Sequence, residues 1–203
     1  MSQIDIWNDT GKRAPDLTGL LEYIPDFFDK AESLELFDSL RSTVQWKQET
    51  LRIFGKELPT PRLTAWYGDD GVAYKYSGRT FHALPWTKEL LHIREKLATA
   101  TGVLFNSVLL NLYRDGSDSM GWHSDDEPEL GTNPVIASVN FGQQRRFDFR
   151  NKTDHTEKYS INLTNGSVLI MKGDIQHRWQ HQIAKSAKVK DGRINLTFRV
   201  VKK

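Results

Sequence analysis

The chain ends in a stretch that alternates polar and apolar side chains, Arg193-Ile194-Asn195-Leu196-Thr197-Phe198-Arg199-Val200. Successive side chains of a β-strand point to opposite faces of the sheet, so this stretch has an apolar face and a polar face that carries both arginines. The pattern is typical of a half-buried strand. The polar face either lies in solvent or points into the mouth of a barrel, and alternation alone does not decide between the two.

Similar short segments fill the chain after Gly102. They cover residues 107–113, 135–141, 146–150, 159–163 and 167–172, and turn residues such as Asn165-Gly166 separate them. Many short strands divided by Gly, Asn and Asp predict a β-sandwich or a jelly roll.

Two helices are predicted before this region. In the first, between about residues 26 and 44, apolar side chains recur at helical spacing. They are Leu34, Phe37, Leu40 and Val44. The second helix begins after Thr87 as its N-cap and ends before Gly102. Its predicted apolar face consists of Leu90, Ile93, Leu97 and Ala100.

Composition narrows the class of protein. The chain has 203 residues, a net charge of +2 and no Cys. This length fits one domain, and the absence of Cys excludes disulfides, thiolate zinc sites, iron–sulfur clusters and Cys nucleophiles. The small net charge neither requires nor excludes a nucleic-acid partner. No apolar run approaches the ~20 residues of a membrane helix, and the N-terminus lacks a signal-peptide core, so we expect a cytosolic protein without membrane contact.

A candidate metal site surrounds the sequence Gly121-Trp122-His123-Ser124-Asp125-Asp126-Glu127. If this stretch is a strand, His123 and Asp125 project to one face. A second imidazole is available from His177 or His181. Two His and one carboxylate that leave open metal positions are typical of non-haem Fe(II) oxygenases. Zinc is also compatible with this ligand set, so the pattern alone does not name the reaction.

Polar residues on two predicted strands indicate a second ligand, a small acid. An arginine on the polar face of residues 193–200 matches a carboxylate with two parallel hydrogen bonds. Asn111 and Tyr113 share one face of the segment 107–113 and add further polar groups. A dicarboxylate beside an Fe(II) site indicates 2-oxoglutarate.

These residues together resemble the AlkB family of Fe(II)- and 2-oxoglutarate-dependent dioxygenases, which repair alkylated nucleic acid. The resemblance covers about residues 50–203 and, jointly, its motifs are specific. They are Asn111-Leu112-Tyr113-Arg114-Asp115-Gly116, His123-Ser124-Asp125-Asp126-Glu127, Ala137-Ser138-Val139-Asn140-Phe141-Gly142 and Arg193 to Arg199. Upstream, Pro61-Arg62 and the stretch from Tyr67 to Gly78 resemble the branch that repairs duplex DNA.

The resemblance implies a fold, a ligand set and cofactors. The fold is a double-stranded β-helix, or jelly roll, that is mainly β with flanking helices. The implied iron ligands are His123, Asp125 and His181. Arg199 is implied to hold the distal carboxylate of 2-oxoglutarate. The rest of the implied co-substrate pocket consists of Arg193, Asn111, Tyr113 and Asn195. Fe(II), 2-oxoglutarate and O2 are the expected cofactor and co-substrates.

The reaction implied by the resemblance is oxidative demethylation of N1-methyladenine and N3-methylcytosine in DNA. Alternatives are the same chemistry on RNA or single strands and, more distantly, a non-catalytic cupin-like binding module. The methylated base must leave the stack to reach the metal. The expected base-binding residues are Phe54, Arg62, Tyr74, Tyr76 and Glu127.

Four of these five residues also have a physical reason for their role. Tyr74 and Tyr76 offer aromatic faces to the flipped base, and Glu127 accepts a hydrogen bond from an exocyclic amine. Phe54 precedes Gly55 between basic residues, where the family has an aromatic finger that fills the gap left by the base; alternatively, Phe54 is a core residue. Contacts to phosphates are expected from Lys185, Lys188 and Lys190 or from Arg145-Arg146.

We therefore expect one domain in three parts. These are an N-terminal arm and helix over residues 1–50, a nucleotide-recognition lid over 51–86 and a jelly-roll core over 87–203. We expect a monomer that acts on alkylated DNA, in the cytoplasm near the nucleoid of a bacterium or in the nucleus of a eukaryote.

Overall fold

The computed structural model describes residues 15–53, 56–76 and 79–202, with residues 51–53, 56, 74–76 and 79–81 described by backbone alone. The strands are β1 (Leu21–Ile24), β2 (Thr50–Ile53), β3 (Lys56–Pro59), β4 (Leu63–Gly68), β5 (Ala73–Tyr76), β6 (Arg79–His82), β7 (Ser107–Tyr113), β8 (Met120–His123), β9 (Ile136–Gly142), β10 (Arg145–Asn151), β11 (Lys158–Leu163), β12 (Ser167–Met171), β13 (Trp179–Ile183) and β14 (Arg193–Arg199). The helices are α1 (Lys30–Thr43), α2 (Lys88–Thr101) and α3 (Ile175–Arg178), with a 3₁₀ turn at Pro128–Leu130.

Two antiparallel sheets form the described fold. The larger sheet has six strands in the order β1-β12-β9-β14-β7-β4, and the smaller has four in the order β11-β10-β13-β8. The hairpins β2-β3 and β5-β6 pair separately. The predicted mainly β jelly roll with flanking helices is confirmed. No helix among the described residues is long and apolar enough to span a membrane.

The larger sheet reaches beyond the range predicted for the core. β1 pairs with β12, and β4 pairs with β7, so both belong to this sheet. Their residues, 21–24 and 63–68, fall in the segments predicted as arm and lid. The division at residue 87 therefore does not follow the strand pairing, because pairing between distant segments leaves no local mark in the sequence.

Helices α1 and α2 cover one face of the larger sheet. Leu90, Ile93 and Leu97 of α2 are fully buried in one apolar cluster with Ile194, Leu196 and Phe198 of β14. Burying such a side chain contributes roughly 1.5–3 kcal/mol. The apolar face of β14 is thus directed to the helices, which leaves its polar face for the space between the two sheets.

The sequence predicted the ends of α2 correctly, but it assigned some exposed residues of α1 and α2 to their buried faces. Thr87 caps α2 by accepting a hydrogen bond from the Leu90 amide, and Gly102 ends it with a φ of 71°. In α1, however, Leu34 is 61% exposed, whereas Leu36 and Leu40 are buried. Leu34 lies about 100° around the helix from the buried Ser33, so it is outside the face of α1 that packs against the sheet. In α2, Ala100 is likewise exposed.

Candidate metal and co-substrate site

A cavity lies between the two sheets. It contains about 440 Å³ of empty space, part of which is open to solvent. Its polar lining consists of Asn111, Tyr113, His123, Asp125, Ser138, His181, Arg193, Asn195, Thr197 and Arg199. Its apolar lining consists of Leu109, Met120, Phe147, Met171 and Ile183. The two predicted groups, metal ligands and acid-binding residues, therefore share one cavity.

Strand register explains how distant polar residues meet here. In the β14–β7 pair, Asn195 lies opposite Asn111 and Arg193 lies opposite Tyr113. Residues directly opposite each other in an antiparallel pair project to the same face. On the other side β14 pairs with β9, where Asn140 is also opposite Asn195. The polar face of β14 thus points into the cavity, which decides between the two orientations that its sequence allowed.

The candidate metal ligands come from two neighbouring strands and one loop. His123 ends β8, and His181 of β13 lies directly opposite it, with their ring centroids 4.3 Å apart. Asp125 completes a group whose ligand atoms all lie within 4.8 Å of one another. The assumption that His123 and Asp125 share a strand is wrong, because β8 ends at His123 and Asp125 belongs to the loop after it.

His177, the alternative second imidazole, is directed elsewhere. It lies on α3, is exposed and accepts a hydrogen bond from the Asn133 amide at 3.4 Å. Because β13 begins at Trp179, after α3 has ended, His177 and His181 do not share a helical face. Among the described residues, the structure thus brings His181 rather than His177 to His123 and Asp125.

The electrostatics of the three side chains favour a bound cation. Burial lowers the pKa of His181 to about 3, with a further contribution from nearby His123, so this imidazole is neutral at pH 7. Burial alone would raise the pKa of Asp125, but the positive charge of Arg199 and its hydrogen bond to the carboxylate hold that pKa below its ordinary value. Metals bind neutral imidazole and ionised carboxylate, so both groups are already in the ligand form.

The hydrogen bond of His123 also leaves a nitrogen free for a metal. Its Nδ1 donates to the Gly121 carbonyl at 2.8 Å. A backbone carbonyl only accepts, so Nδ1 carries the proton and Nε2 keeps its lone pair in the neutral ring. Metal-binding histidines are commonly oriented by such a bond.

Arg199 occupies a different place from the one implied by the resemblance. Its Nη2 donates to Asp125 Oδ1 at 2.5 Å, and its Nε is buried without a partner among the described residues. Since Asp125 is a candidate metal ligand, this guanidinium lies beside the metal position. The resemblance implies that Arg199 holds the distal carboxylate of 2-oxoglutarate, whereas in this structure its guanidinium contacts a candidate metal ligand.

Arg193 is a buried arginine, and two of its nitrogen atoms have no hydrogen-bond partner among the described residues. It is 1% exposed, its guanidinium lies 5.1 Å from the centre of the Tyr113 ring, and its Nη2 donates to Asn140 Oδ1. Its Nε and Nη1 are buried and have no partner among the described residues. Burial lowers its pKa to about 10, so it stays charged at pH 7. A buried cation with two unused donors is costly, and a ligand carboxylate fits it.

The amides of the pocket are partly engaged already. Asn195 donates to Ser138 Oγ at 2.8 Å and to the Val139 carbonyl at 3.1 Å. Asn111 accepts from Arg62 Nε at 2.8 Å, so Arg62, which was assigned to the base, touches the acid-binding side of the cavity. Sequence reasoning missed Ser138 and Asn140 as site residues, although both stand at alternate positions of a quoted motif.

The remaining base-binding candidates are less fully described. Glu127 has a buried oxygen, Oε2, with no hydrogen-bond partner among the described residues. Tyr74 and Tyr76 lie on β5, where Tyr74 is opposite Phe81 of β6, but their side chains are outside the described residues. Phe54 also lies outside the described residues.

One predicted phosphate contact is wrong. Arg145 is 2% exposed, and its guanidinium donates to the carbonyls of Asp115, Asp118 and Ala184. A side chain committed to three backbone carbonyls in the interior has a structural role. The lysines of the other candidate cluster are exposed; they are Lys185, Lys188 and Lys190.

Comparison with known proteins agrees with this site. The family model described as the 2OG-Fe(II) oxygenase superfamily matches residues 20–199. The alpha-ketoglutarate-dependent dioxygenase alkB homolog 3 of Bos taurus is 44% identical over 186 residues, which are 87% of this chain and 64% of that protein. The human DNA oxidative demethylase ALKBH2 is 40% identical over 184 residues, 86% of this chain and 70% of that protein. This chain belongs to the AlkB family of Fe(II)- and 2-oxoglutarate-dependent oxygenases.

Two further facts set the extent of the likeness to this family. The chain spans less than two thirds of the length of the alkB homolog 3 proteins that it matches, 64% for the bovine one. Among solved structures, the one titled "The structure of OsALKBH1" has a TM-score of 0.61 at 16% identity and covers 89% of this chain and 96% of its own. That likeness shows a shared fold.

Proposed function

We propose that this protein is an Fe(II)- and 2-oxoglutarate-dependent dioxygenase that removes N-methyl groups from alkylated bases in DNA, with N1-methyladenine and N3-methylcytosine as substrates. One observation carries the proposal. A neutral-histidine and carboxylate cluster and a buried arginine with unused donors line the same cavity. The first suits a divalent metal, and the second suits the carboxylate of a ligand that also reaches the metal.

His123, Asp125 and His181 would hold the iron. Two imidazoles and one carboxylate leave further positions of an octahedral metal open for co-substrate and O2. When bound, iron and 2-oxoglutarate supply the oxidation: one oxygen atom of O2 enters the methyl group, which leaves as formaldehyde, and the other enters 2-oxoglutarate, which leaves as succinate and CO2. The protein supplies binding, orientation and exclusion of water.

We assign the two arginines opposite ends of the co-substrate. Their α-carbons are separated by about 20 Å along β14, since each strand residue advances roughly 3.3 Å. The guanidinium of Arg199 reaches Asp125, so this arginine faces the metal-binding end. Arg193 would then hold the distal carboxylate through its free Nε and Nη1, with Tyr113 against its guanidinium. This reverses the role that the resemblance implies for Arg199.

On the substrate side, the proposal places a flipped base near His123. His123 is the more exposed of the two candidate imidazole ligands, so the base would approach from its side. Glu127 would accept a hydrogen bond from the exocyclic amine, for which its unpartnered Oε2 is available. An anionic carboxylate also favours methylated bases that carry positive charge. Tyr74 and Tyr76 would stack on the base, and Phe54 would fill the vacated position in a duplex.

DNA is favoured over RNA by the relatives named DNA oxidative demethylase, of which the chain covers up to 77% in the mouse protein. A protein that repairs DNA would work in the nucleoid of a bacterium or the nucleus of a eukaryote. Repair of RNA or of single strands by the same chemistry is the alternative outcome of the test below.

The proposal is tested by reconstituting the protein with Fe(II) and 2-oxoglutarate without O2, then adding air and oligonucleotides that carry N1-methyladenine. We expect formaldehyde, together with at least as much succinate, because 2-oxoglutarate also decays without substrate. Duplex DNA, single-stranded DNA and RNA of one sequence should be compared, with the unmethylated oligonucleotide and an Asp125→Ala variant as controls. If 2-oxoglutarate binds but is never consumed on any methylated substrate, the protein is a binding module and not a dioxygenase.

A further inference from the structure

The loop that carries Asp125 is bound at two successive residues, Ser124 and Asp125, to one neighbouring segment. We define the Asp125 loop as residues 124–126 and the docking segment as residues 176–179, which are the last three residues of α3 and the first residue of β13. The Asp125 amide donates to Gln176 Oε1 at 3.0 Å, and Ser124 Oγ donates to the Trp179 carbonyl at 2.9 Å. Within the described part of the chain no strand pairs with this loop, since β8 ends at His123. These side-chain hydrogen bonds therefore fix the position of the loop beyond the end of β8.

Lys152 completes the attachment from a third element. Its ammonium group donates to Asp126 Oδ2 at 2.8 Å and to the Gln176 carbonyl at 2.9 Å. One lysine thus joins the last residue of the loop to the first residue of the docking segment. Its side chain is 28% exposed, so its contribution is weaker than that of a buried group.

Gln176 is the buried centre of this arrangement. Its exposed fraction is 0%, and its Nε2 donates to Met171 Sδ, which belongs to the cavity lining. Both ends of its amide are therefore in use, one toward the Asp125 backbone and one toward β12. Neither bond extends a helix or a strand, so the burial of this amide requires a different explanation.

The docking segment leads directly to another candidate ligand. Trp179 stands two residues before His181 on β13, and His181 Nε2 lies 4.0 Å from Asp125 Oδ2. Any movement of the loop on the docking segment changes this separation. Metal–ligand bonds of roughly 2 Å tolerate deviations of only about 0.2 Å, so the spacing must be held closely.

We propose that Gln176, Ser124 and Lys152 are positioning residues that set the distance between Asp125 and His181 and so preorganise the metal site. They act through Asp125 and touch neither substrate nor co-substrate. This inference rests on the proposed function only in that Asp125 and His181 bind a metal. Partners that orient metal ligands in this way typically change metal affinity by 10- to 100-fold when removed.

The test is titration of the purified protein with Co(II), followed by the visible absorption of the bound ion. Gln176→Met keeps the volume of the side chain and removes both of its hydrogen bonds. We expect it to weaken Co(II) binding by about 10- to 100-fold and to change the absorption spectrum, because the carboxylate is no longer held. Ser124→Ala should weaken binding by a few-fold, Ser124→Thr should restore it, and Lys152→Met should have the smallest effect.

Asn106→Ala is the control for the loss of a half-buried side-chain amide that forms two hydrogen bonds. The Asn106 side chain exchanges two hydrogen bonds with the Val201 backbone, at 2.8 and 2.7 Å, and neither residue lines the cavity. The Asn106→Ala substitution should lower the melting temperature of the metal-free protein and leave its Co(II) affinity and absorption spectrum unchanged. If Gln176→Met does not fold, the Ser124 pair decides the question.

The outcomes separate two failures. If the wild-type protein binds no Co(II), the metal site and with it the proposed function are wrong. If the wild type binds Co(II) and the folded Gln176→Met and Ser124→Ala variants bind it equally well with the same spectrum, only the positioning role is wrong.

Discussion

The buried state of His181 predicts that the metal-free protein loses stability in mild acid. Its pKa is about 3 in the folded protein because burial disfavours the charged ring, against an ordinary value of 6.5. Between these values the unfolded chain binds a proton that the folded chain does not. Stability therefore falls as the pH drops below about 6.5. At 1.36 kcal/mol for each pKa unit, the free energy of unfolding should decrease by about 2 kcal/mol between pH 7 and pH 5.

Urea unfolding at pH 7 and pH 5, with a chelator present, measures this difference. The chelator is needed because a bound metal holds the imidazole neutral and adds its own pH dependence. Asp125 contributes in the same direction, but only below its ordinary value of 3.8, which lies outside this range. His181→Asn should remove most of the loss, whereas His177→Asn should keep it, since His177 is exposed. An equal loss in wild type and His181→Asn would refute the reasoning.

Four further outcomes are expected. Alanine at any one of the three candidate ligands should abolish Co(II) binding and demethylation, whereas His177→Ala should keep most of both; loss of metal binding in His177→Ala alone would overturn the ligand assignment. Arg193→Lys should raise the 2-oxoglutarate concentration for half-maximal succinate formation by roughly tenfold to a hundredfold, because a charged hydrogen bond contributes about 1.5–3 kcal/mol. Arg199→Lys should instead mainly weaken Co(II) binding. Glu127→Ala should slow demethylation while 2-oxoglutarate decay without substrate continues; an equal fall in both would mean a role at the metal. Phe54→Ala should reduce repair of duplex DNA several-fold more than repair of single strands, at an unchanged melting temperature of the protein. The reason is that a base–aromatic stack of about 1–3 kcal/mol offsets the cost of flipping the base. An equal loss on both substrates, with a lowered melting temperature, would make Phe54 a core residue.

Features within one element could be predicted from the sequence. The alternation in β14 already separated a polar face with two arginines from an apolar face, and the structure keeps that division. Thr87 and Gly102 marked the ends of α2 correctly. These signals are local, because side-chain direction within a strand and capping at a helix end depend on neighbours in the chain.

The complete set of metal ligands could not be predicted from local sequence patterns. Two histidines four residues apart were both available, and the choice between His177 and His181 depends on β13 lying beside β8. Asp125 reaches the site from a loop, although a strand was expected there, and the loop is held by Gln176, which no sequence motif had marked. Strand register and loop docking join residues about fifty positions apart, and periodicity carries no information over that distance.

The sequence by itself therefore determined the class of fold, the family and the set of residue types that the chemistry needs. Only the tertiary structure decided which way the polar face of β14 points and which histidine completes the metal cluster. It also decided that Arg199 contacts Asp125, while two buried donors of Arg193 have no partner among the described residues. It also showed that the buried Arg145 side chain is bound to three backbone carbonyls and is not available for a phosphate. The physical reason is the same in each case: the partner of a side chain is set by packing between distant segments, and a charge placed in the interior must find its hydrogen bonds there.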